Sequence, residues 1–341
     1  MNTVTAPAGP AIASVPNAAS PALRGGRYSI RPLPINLYGA VMGLAGMALA
    51  WRLAVPAFGA PAAVGEAMGF FALAVFIAHS AGYLAKLTLH PGAVREEFKD
   101  PVSGNFFGQF AISLLLLSSV LMPYGQAFAQ ALWTAGIVVT FALGLLTGSR
   151  LLKGRLAPAH MLPVWIIPGV GVLDIGVTGG HMPMAWAGEI NLLAVAVGAM
   201  VALVLWTLII HRLAHGEPLP ERMRPSLMIL LAPFAVGFLA WVNVFGQVDR
   251  FAGALFYFAL FVFAVVSPKV FRRDVPFSPG WWAVSFPMAA LASAAIVYAQ
   301  VRGGAVLHGL AGLLLVALTV VLAVLTVRTL HWVFSGKLFA V

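Results

Sequence analysis

The chain contains no cysteine, which removes disulfides, thiolate catalysis and Cys-ligated metals together and leaves compartment to be argued from topology. Charge is nearly as scarce. Only 9% of residues are charged against 61% hydrophobic, and mean hydropathy is +0.96, a balance at which no 341-residue domain stays soluble. Short segments of alternating polarity, the mark of a membrane β-barrel, are missing, whereas apolar runs long enough to cross a ~30 Å hydrocarbon core as helices recur. Residues 1–23 hold no basic n-region and no apolar core, so no signal peptide is read there. No P-loop, GxSxG elbow or hydrolytic carboxylate pair occurs, and the sequence supports neither enzyme activity nor a cofactor. His211 and His215 have i, i+4 spacing but no intervening Glu and no third ligand, so they make no metal site.

What is present is an all-α, polytopic membrane pattern. Apolar runs at about 35–55, 64–87, 103–122, 127–149, 161–180, 187–213, 225–245, 251–268, 280–301 and 304–334 predict ten transmembrane helices. They divide the chain into a disordered tail at 1–31, a ten-helix domain at 32–336 and a short C-terminus at 337–341. Seventeen of the 20 Lys and Arg residues fall on the side of the N-terminus, and Arg52, Arg250 and Arg302 fall on the other. That asymmetry predicts both termini in the cytoplasm, and the expected location is the inner (plasma) membrane. It also assigns the net charge of +10 to anchors facing anionic lipid rather than to nucleic acid.

Odd and even spans differ. Pro168, Pro233 and Pro287 lie inside spans five, seven and nine, and no proline is expected inside an even span. Pro287 has no N–H and its ring crowds the carbonyl of Ala283, so a kink is expected there, with Phe286 beside it. Spans one and three carry Gly39, Gly43 and Gly46, and Gly104 and Gly108, at spacings that allow either close backbone approach or local unwinding. Even spans such as 191–210 and 310–327 are rich in Leu, Val and Ala, as lipid-facing helices are. The pattern predicts five helical hairpins in a ring, with irregular helices inside around a central pore and regular ones outside. Bulky residues on the outer helices, Trp206, Trp133 and Phe128, would face lipid or a neighbouring subunit.

Several segments carry a family resemblance. Pro32-Leu33-Pro34 with Tyr38-Gly39 and Gly43-Leu44-Ala45, Glu96-Glu97-Phe98 leading to Pro101-Val102, Leu231-Ala232-Pro233, and Trp282-Ala283-Val284-Ser285-Phe286 resemble the tellurite-resistance and dicarboxylate transporter family. That family includes TehA, the plant slow anion channels, and fungal malate and sulfite transporters. The resemblance implies a five-hairpin ring around one pore per protomer, a homotrimer, small inorganic or organic anions as the permeant species, and a pore gate at Phe286. Pro287, Pro233, Pro168, Gly169, Gly39, Gly43 and Gly108 are then the expected pore-lining or kink positions. The Phe286-Pro287 pair is similar to the plant branch, and the fifth span departs from TehA at Ile167-Pro168-Gly169-Val170-Gly171-Val172-Leu173-Asp174.

Asp174, an acid well inside an odd span, is a candidate pore charge. The alternatives are an interfacial acid near a helix end or one tied to backbone. A lumen-facing carboxylate would repel permeant anions unless protonated or paired. His79 reads more commonly as a hydrogen-bonded packing residue than as a proton relay. With no Arg or Lys expected inside the odd spans, selectivity would rest on backbone dipoles and on ease of dehydration. A gated anion channel is the leading expectation. A proton-coupled carrier of C4-dicarboxylates or of oxyanions such as tellurite and sulfite is the alternative within transport, and a sensor with a closed pore is the alternative outside it.

Overall fold

Each predicted apolar run is a helix in the structure, a computed structural model that describes residues 29–154 and 157–339. Most of the expected tail, with Arg24 and Arg27, lies outside the described residues, as do Arg155 and the last two residues. The ten spans form five hairpins. A 3₁₀ turn Ile35–Leu37 leads into α1 (Tyr38–Phe58), which pairs with α2 (Ala62–Leu89); a short helix α3 (Pro91–Lys99) follows. Ser103–Phe106 leads into α4 (Phe107–Leu121), paired with α5 (Gln126–Leu152), and Pro163–Trp165 leads into α6 (Ile166–Gly179), paired with α7 (Ala187–His215). Glu221–Leu231 leads into α8 (Ala232–Phe245), paired with α9 (Arg250–Val270), and Pro279–Val284 leads into α10 (Ser285–Arg302), paired with α11 (Ala305–Phe334). Among the described residues nine of these helices, counted with their 3₁₀ leads, are long and apolar enough to cross a membrane; Pro163–Gly179 is shorter. Hairpin turns close tightly where Gly59, Gly246 and Gly303 take positive φ after α1, α8 and α10, a backbone region that glycine alone enters without strain.

The ring is closed by direct packing. α1 contacts α4, α4 contacts α6, α6 contacts α8, α8 contacts α10, and α10 returns to α1. Each outer helix packs on its own hairpin partner and on the next inner helix, so α2, α5, α7, α9 and α11 seal the five seams. Burial separates the layers: 94% of the apolar window of Pro279–Arg302 is buried, against 22–33% for the five outer helices, which leave apolar side chains such as Leu145, Val306 and Val316 exposed. An exposed apolar belt on every outer helix is what a hydrocarbon solvent requires. Trp133 departs from expectation. It is fully buried, and its indole N–H donates to Thr178 Oγ1 at 3.1 Å, so it joins α5 to α6 instead of facing lipid.

The prolines act differently from the expected mid-helix kink. Pro168, Pro233 and Pro287 are the third, second and third residues of α6, α8 and α10, positions where a missing N–H costs little because the first turn of an α-helix has no intrahelical acceptor for it. The irregularity is a change of helix type, 3₁₀ passing into α, and the glycine-bearing spans one and three make the same change without proline. Pro268 also corrects the expected even-span pattern, since it sits two residues before the end of α9. Glycine serves close approach: a Cβ on Gly43 would fall 2.3 Å from Cβ of Ser285. That contact seats α10 on α1, where the Ser285 hydroxyl donates to the Gly39 carbonyl at 3.0 Å.

One ion pair fastens the end of the bundle that carries both described termini, here the terminal side, where Ser29 N–H donates to the Phe339 carbonyl at 3.3 Å. Lys86, buried near the end of α2, donates to Glu97 of α3 at 2.6 Å and to the Leu33 carbonyl at 2.7 Å. Glu97 also accepts from Tyr83 Oη and from the Ile35 N–H, both at 2.9 Å. A single carboxylate thereby holds the entry to α1, the end of α2 and the short helix α3 together.

Candidate functional site

Two cavities lie on the axis of the inner ring. On the terminal side is a space of about 30 Å³ with Met42 of α1, Gln109 of α4, Val170 of α6, Ala232 of α8 and Trp282 before α10 in its wall, roughly the room of one water molecule. On the far side is a cavity of about 360 Å³, again walled by all five inner helices. Phe286 is the one residue that borders both. Its ring is buried and rests over Gly46, whose missing side chain leaves the room: a Cβ there would stand 3.5 Å from Phe286 Cδ2 and 2.9 Å from Ala289 Cβ.

The two cavities differ in chemistry. Each inner helix gives the far cavity one polar residue: Arg52 from α1, Ser119 from α4, Asp174 from α6, Asn243 from α8 and Ser293 from α10, with His181 beyond α6. The narrow space has mainly Gln109 for polarity. Arg52 is a correction to the expectation that odd spans hold no cation. It lies within α1, donates to both oxygens of Glu66 at 2.9 and 2.7 Å, and donates to the carbonyls of Ser119 and Val120 at 3.1 and 2.8 Å. Tyr124 donates to the same Glu66 carboxylate, a bond that raises its phenol above the ordinary value. Position 52 falls inside the first apolar run, and that was the available signal. The polar set from α4, α8 and α10 had none, because single Ser and Asn residues in apolar helices do not report which way they face.

The predicted positions separate into groups. Phe286, Pro287 and Gly39 border the axial cavities, as does Asp174, which is fully buried with neither carboxylate oxygen hydrogen-bonded among the described residues. Gly43 and Gly108 sit in helix contacts instead, Gly108 with a Cβ position 3.1 Å from Ile167 Cγ2. Pro233 is buried in the first turn of α8 and borders neither cavity. Pro168 and Gly169 are turned away from the axis, on the wall of a groove between α5 and α7, and a Cβ on Gly169 would meet Leu205 and Val201. His79 is outside the ring as well, edge-on to Tyr38 at 4.4 Å.

The family that the sequence resemblance points to is also the one that comparison with known proteins gives. The sequence profile described as SLAC1, voltage-dependent anion channel, matches residues 32–330. The chain belongs to the SLAC1 family. Among its relatives in this family, the S-type anion channel SLAH3 of Arabidopsis thaliana is 28% identical over 88% of this chain and 48% of its own length. SLAH2 of the same plant is 28% identical over 90% and 60%. The tellurite resistance protein TehA homolog of Haemophilus influenzae is 25% identical over 90% of this chain and 93% of its own. The chain therefore spans about half to three fifths of those two plant relatives and nearly the whole of the bacterial one.

Proposed function

We propose that this SLAC1-family membrane protein is a gated anion channel, with the axis of the inner ring as conduit and the Phe286 ring as its closure. The observation that supports this above all is that a single aromatic side chain separates two cavities walled by the same five helices. A phenyl ring in such a place obstructs ions by occupied cross-section and by dewetting. Charge sign follows from two features. All five inner spans start on the terminal side, each with a 3₁₀ lead that runs into its α-helix beside the narrow space, so their positive dipole ends face that side and favour an anion approaching from it. Arg52 lines the wide one and its partner Glu66 does not, so the positive end of the pair faces that cavity and favours an anion there.

Anion flux from proteoliposomes is the test. With Phe286 truncated, efflux should follow ease of dehydration, iodide and nitrate ahead of chloride, because the narrow space offers dipoles and one amide but no paired cation. Absent flux, or a series indifferent to hydration energy, contradicts the proposal. The second reading is a proton-coupled dicarboxylate or oxyanion carrier, favoured by the buried, unpartnered Asp174 beside the wide cavity. In a channel with Asp174 ionised, Asp174→Asn should raise conductance about fivefold, the factor given by removing ~1 kcal/mol of repulsion, flatten its pH dependence and keep the current ohmic. With Asp174 protonated, conductance and pH profile stay unchanged. Saturable, pH-driven uptake that Asp174→Asn abolishes would establish the carrier instead.

The same proposal places both termini in the cytoplasm and three protomers in the assembly, each with its own conduit. Reporter fusions near Lys153 and Arg222 should give cytoplasmic signals and fusions near Tyr124 and Asp249 the opposite; reversal at either pair rejects the orientation. A monomer mass in mild detergent rejects the trimer.

A further inference from the structure

The outer face of α6 on the terminal side is left open by the protein. α5 and α7 flank an apolar groove of about 740 Å³ whose wall includes Leu145, Gly148, Leu152, Val172, Val201 and Val204. Leu151 belongs to this wall and also to that of a second cavity, of about 540 Å³, bordered by Pro158, Met161, His211, Arg212, His215 and Glu217. Arg212 is 9% exposed, and its Nε and Nη1 have no hydrogen-bond partner among the described residues. Lys153 stands at the end of the groove on the same side. Glu217 is the one carboxylate in the second cavity's wall; it is exposed and makes no ion pair with Arg212.

A buried guanidinium without a counter-ion is costly. Arg52 and Lys86, also built into the bundle, each have a carboxylate within 2.7 Å, and Arg150 of α5 has the Phe98 carbonyl and ring. The missing partner of Arg212 is therefore sought outside the chain, and the cavity that receives it adjoins, across Leu151, a groove that only hydrocarbon would fill. We propose that this is a binding site for an anionic phospholipid of the terminal-side leaflet, with its phosphate on Arg212 and an acyl chain in the groove along α6. A guanidinium suits a phosphate because it donates two parallel hydrogen bonds, Lys153 adds charge at the mouth, and the apolar wall excludes a headgroup from the groove itself.

The test counts lipid retained by the purified full-length protein in neutral detergent, by native mass spectrometry, with phosphatidylglycerol, phosphatidylcholine or inorganic phosphate added. Phosphatidylglycerol should be retained at about one molecule per protomer and about tenfold more tightly than phosphatidylcholine. Arg212→Gln should lose about tenfold in phosphatidylglycerol retention without lowering the melting temperature in lipid-free detergent, since neither nitrogen supports the fold. Gly148→Phe should also lose retention with Arg212 intact, because a Cβ at Gly148 meets nothing within 4 Å and the ring would enter the groove. Equal retention of the two lipids, or undiminished retention by Arg212→Gln, overturns the proposal. Displacement of the lipid by millimolar phosphate reassigns Arg212 to a free anion, and dissociation of the oligomer by Gly148→Phe reassigns the groove to a second copy of the chain; either result also overturns it.

Discussion

Replacing Phe286 with Ala is expected to raise anion conductance steeply while the protein remains folded. The side chain stands between spaces of about 30 and 360 Å³ that share no other lining residue, so its truncation joins them into one passage. Each ~1.4 kcal/mol removed from the barrier to passage is worth a factor of ten in rate, and a dewetted constriction closed by one phenyl ring leaves room for several such factors. The cost to folding should be below the ~3–5 kcal/mol of an ordinary buried Phe→Ala change, because part of that cost is the creation of a cavity and here cavities already flank the ring. Size should order the series: Leu opens less than Ala, and Trp stays shut. Pro287→Ala belongs to a different class. It restores an N–H at the third residue of α10 and should shift the 3₁₀ to α junction, altering closure instead of abolishing it. A stable Phe286→Ala protein that stays electrically silent would remove the gate.

The largest loss of stability is expected at Glu97. Glu97→Ala leaves Lys86 buried at 4% exposure without its carboxylate and frees the Tyr83 hydroxyl and the Ile35 N–H at once. Breaking a buried pair by removing one partner costs about 3–5 kcal/mol. Removing both charges with Lys86→Met and Glu97→Leu together should recover most of that loss, which separates an uncompensated charge from a simple packing defect. Thermal melting in detergent reads both. Because Glu97 fixes the entry to α1, and α1 carries the Gly46 surface under the Phe286 ring, the single variant should also alter conductance. Wild-type melting of Glu97→Ala would contradict the assigned role of the pair.

Most of the architecture could be read from the sequence because each apolar run is long, and the alternation of broken and regular spans could be read because proline and glycine mark it. The nature of the break could not. A proline reports a missing donor, which fits a kink inside an α-helix and a first α-turn after a 3₁₀ segment equally well, and Pro168, Pro233 and Pro287 all do the latter. Facing was the other weak point. A helix apolar on every side has no periodicity to say which side meets the axis, so Gly169 and Pro168 were expected there and lie against α7 and the outer groove, while Asn243 and Ser293 went unremarked. Charges were counted for topology alone, and for that reason Arg52 was assigned only a side of the membrane although it is built into the bundle. Asp174 was recognisable because an acid inside an apolar span is rare enough to stand out singly.

The absence of native cysteine makes the most direct test of the conduit simple, since any introduced thiol is the only one in the chain. Ser293→Cys places it in the wide cavity and Ala283→Cys in the narrow one, on opposite sides of Phe286. A small charged methanethiosulfonate is applied from the far side to each variant, alone and combined with Phe286→Ala, and modification is followed as loss of current or gain of mass. The account predicts that position 293 reacts in both backgrounds and that position 283 reacts only when Phe286 is Ala. Reaction at 283 with Phe286 in place, or no reaction there once it is removed, would contradict a conduit along this axis closed by that ring.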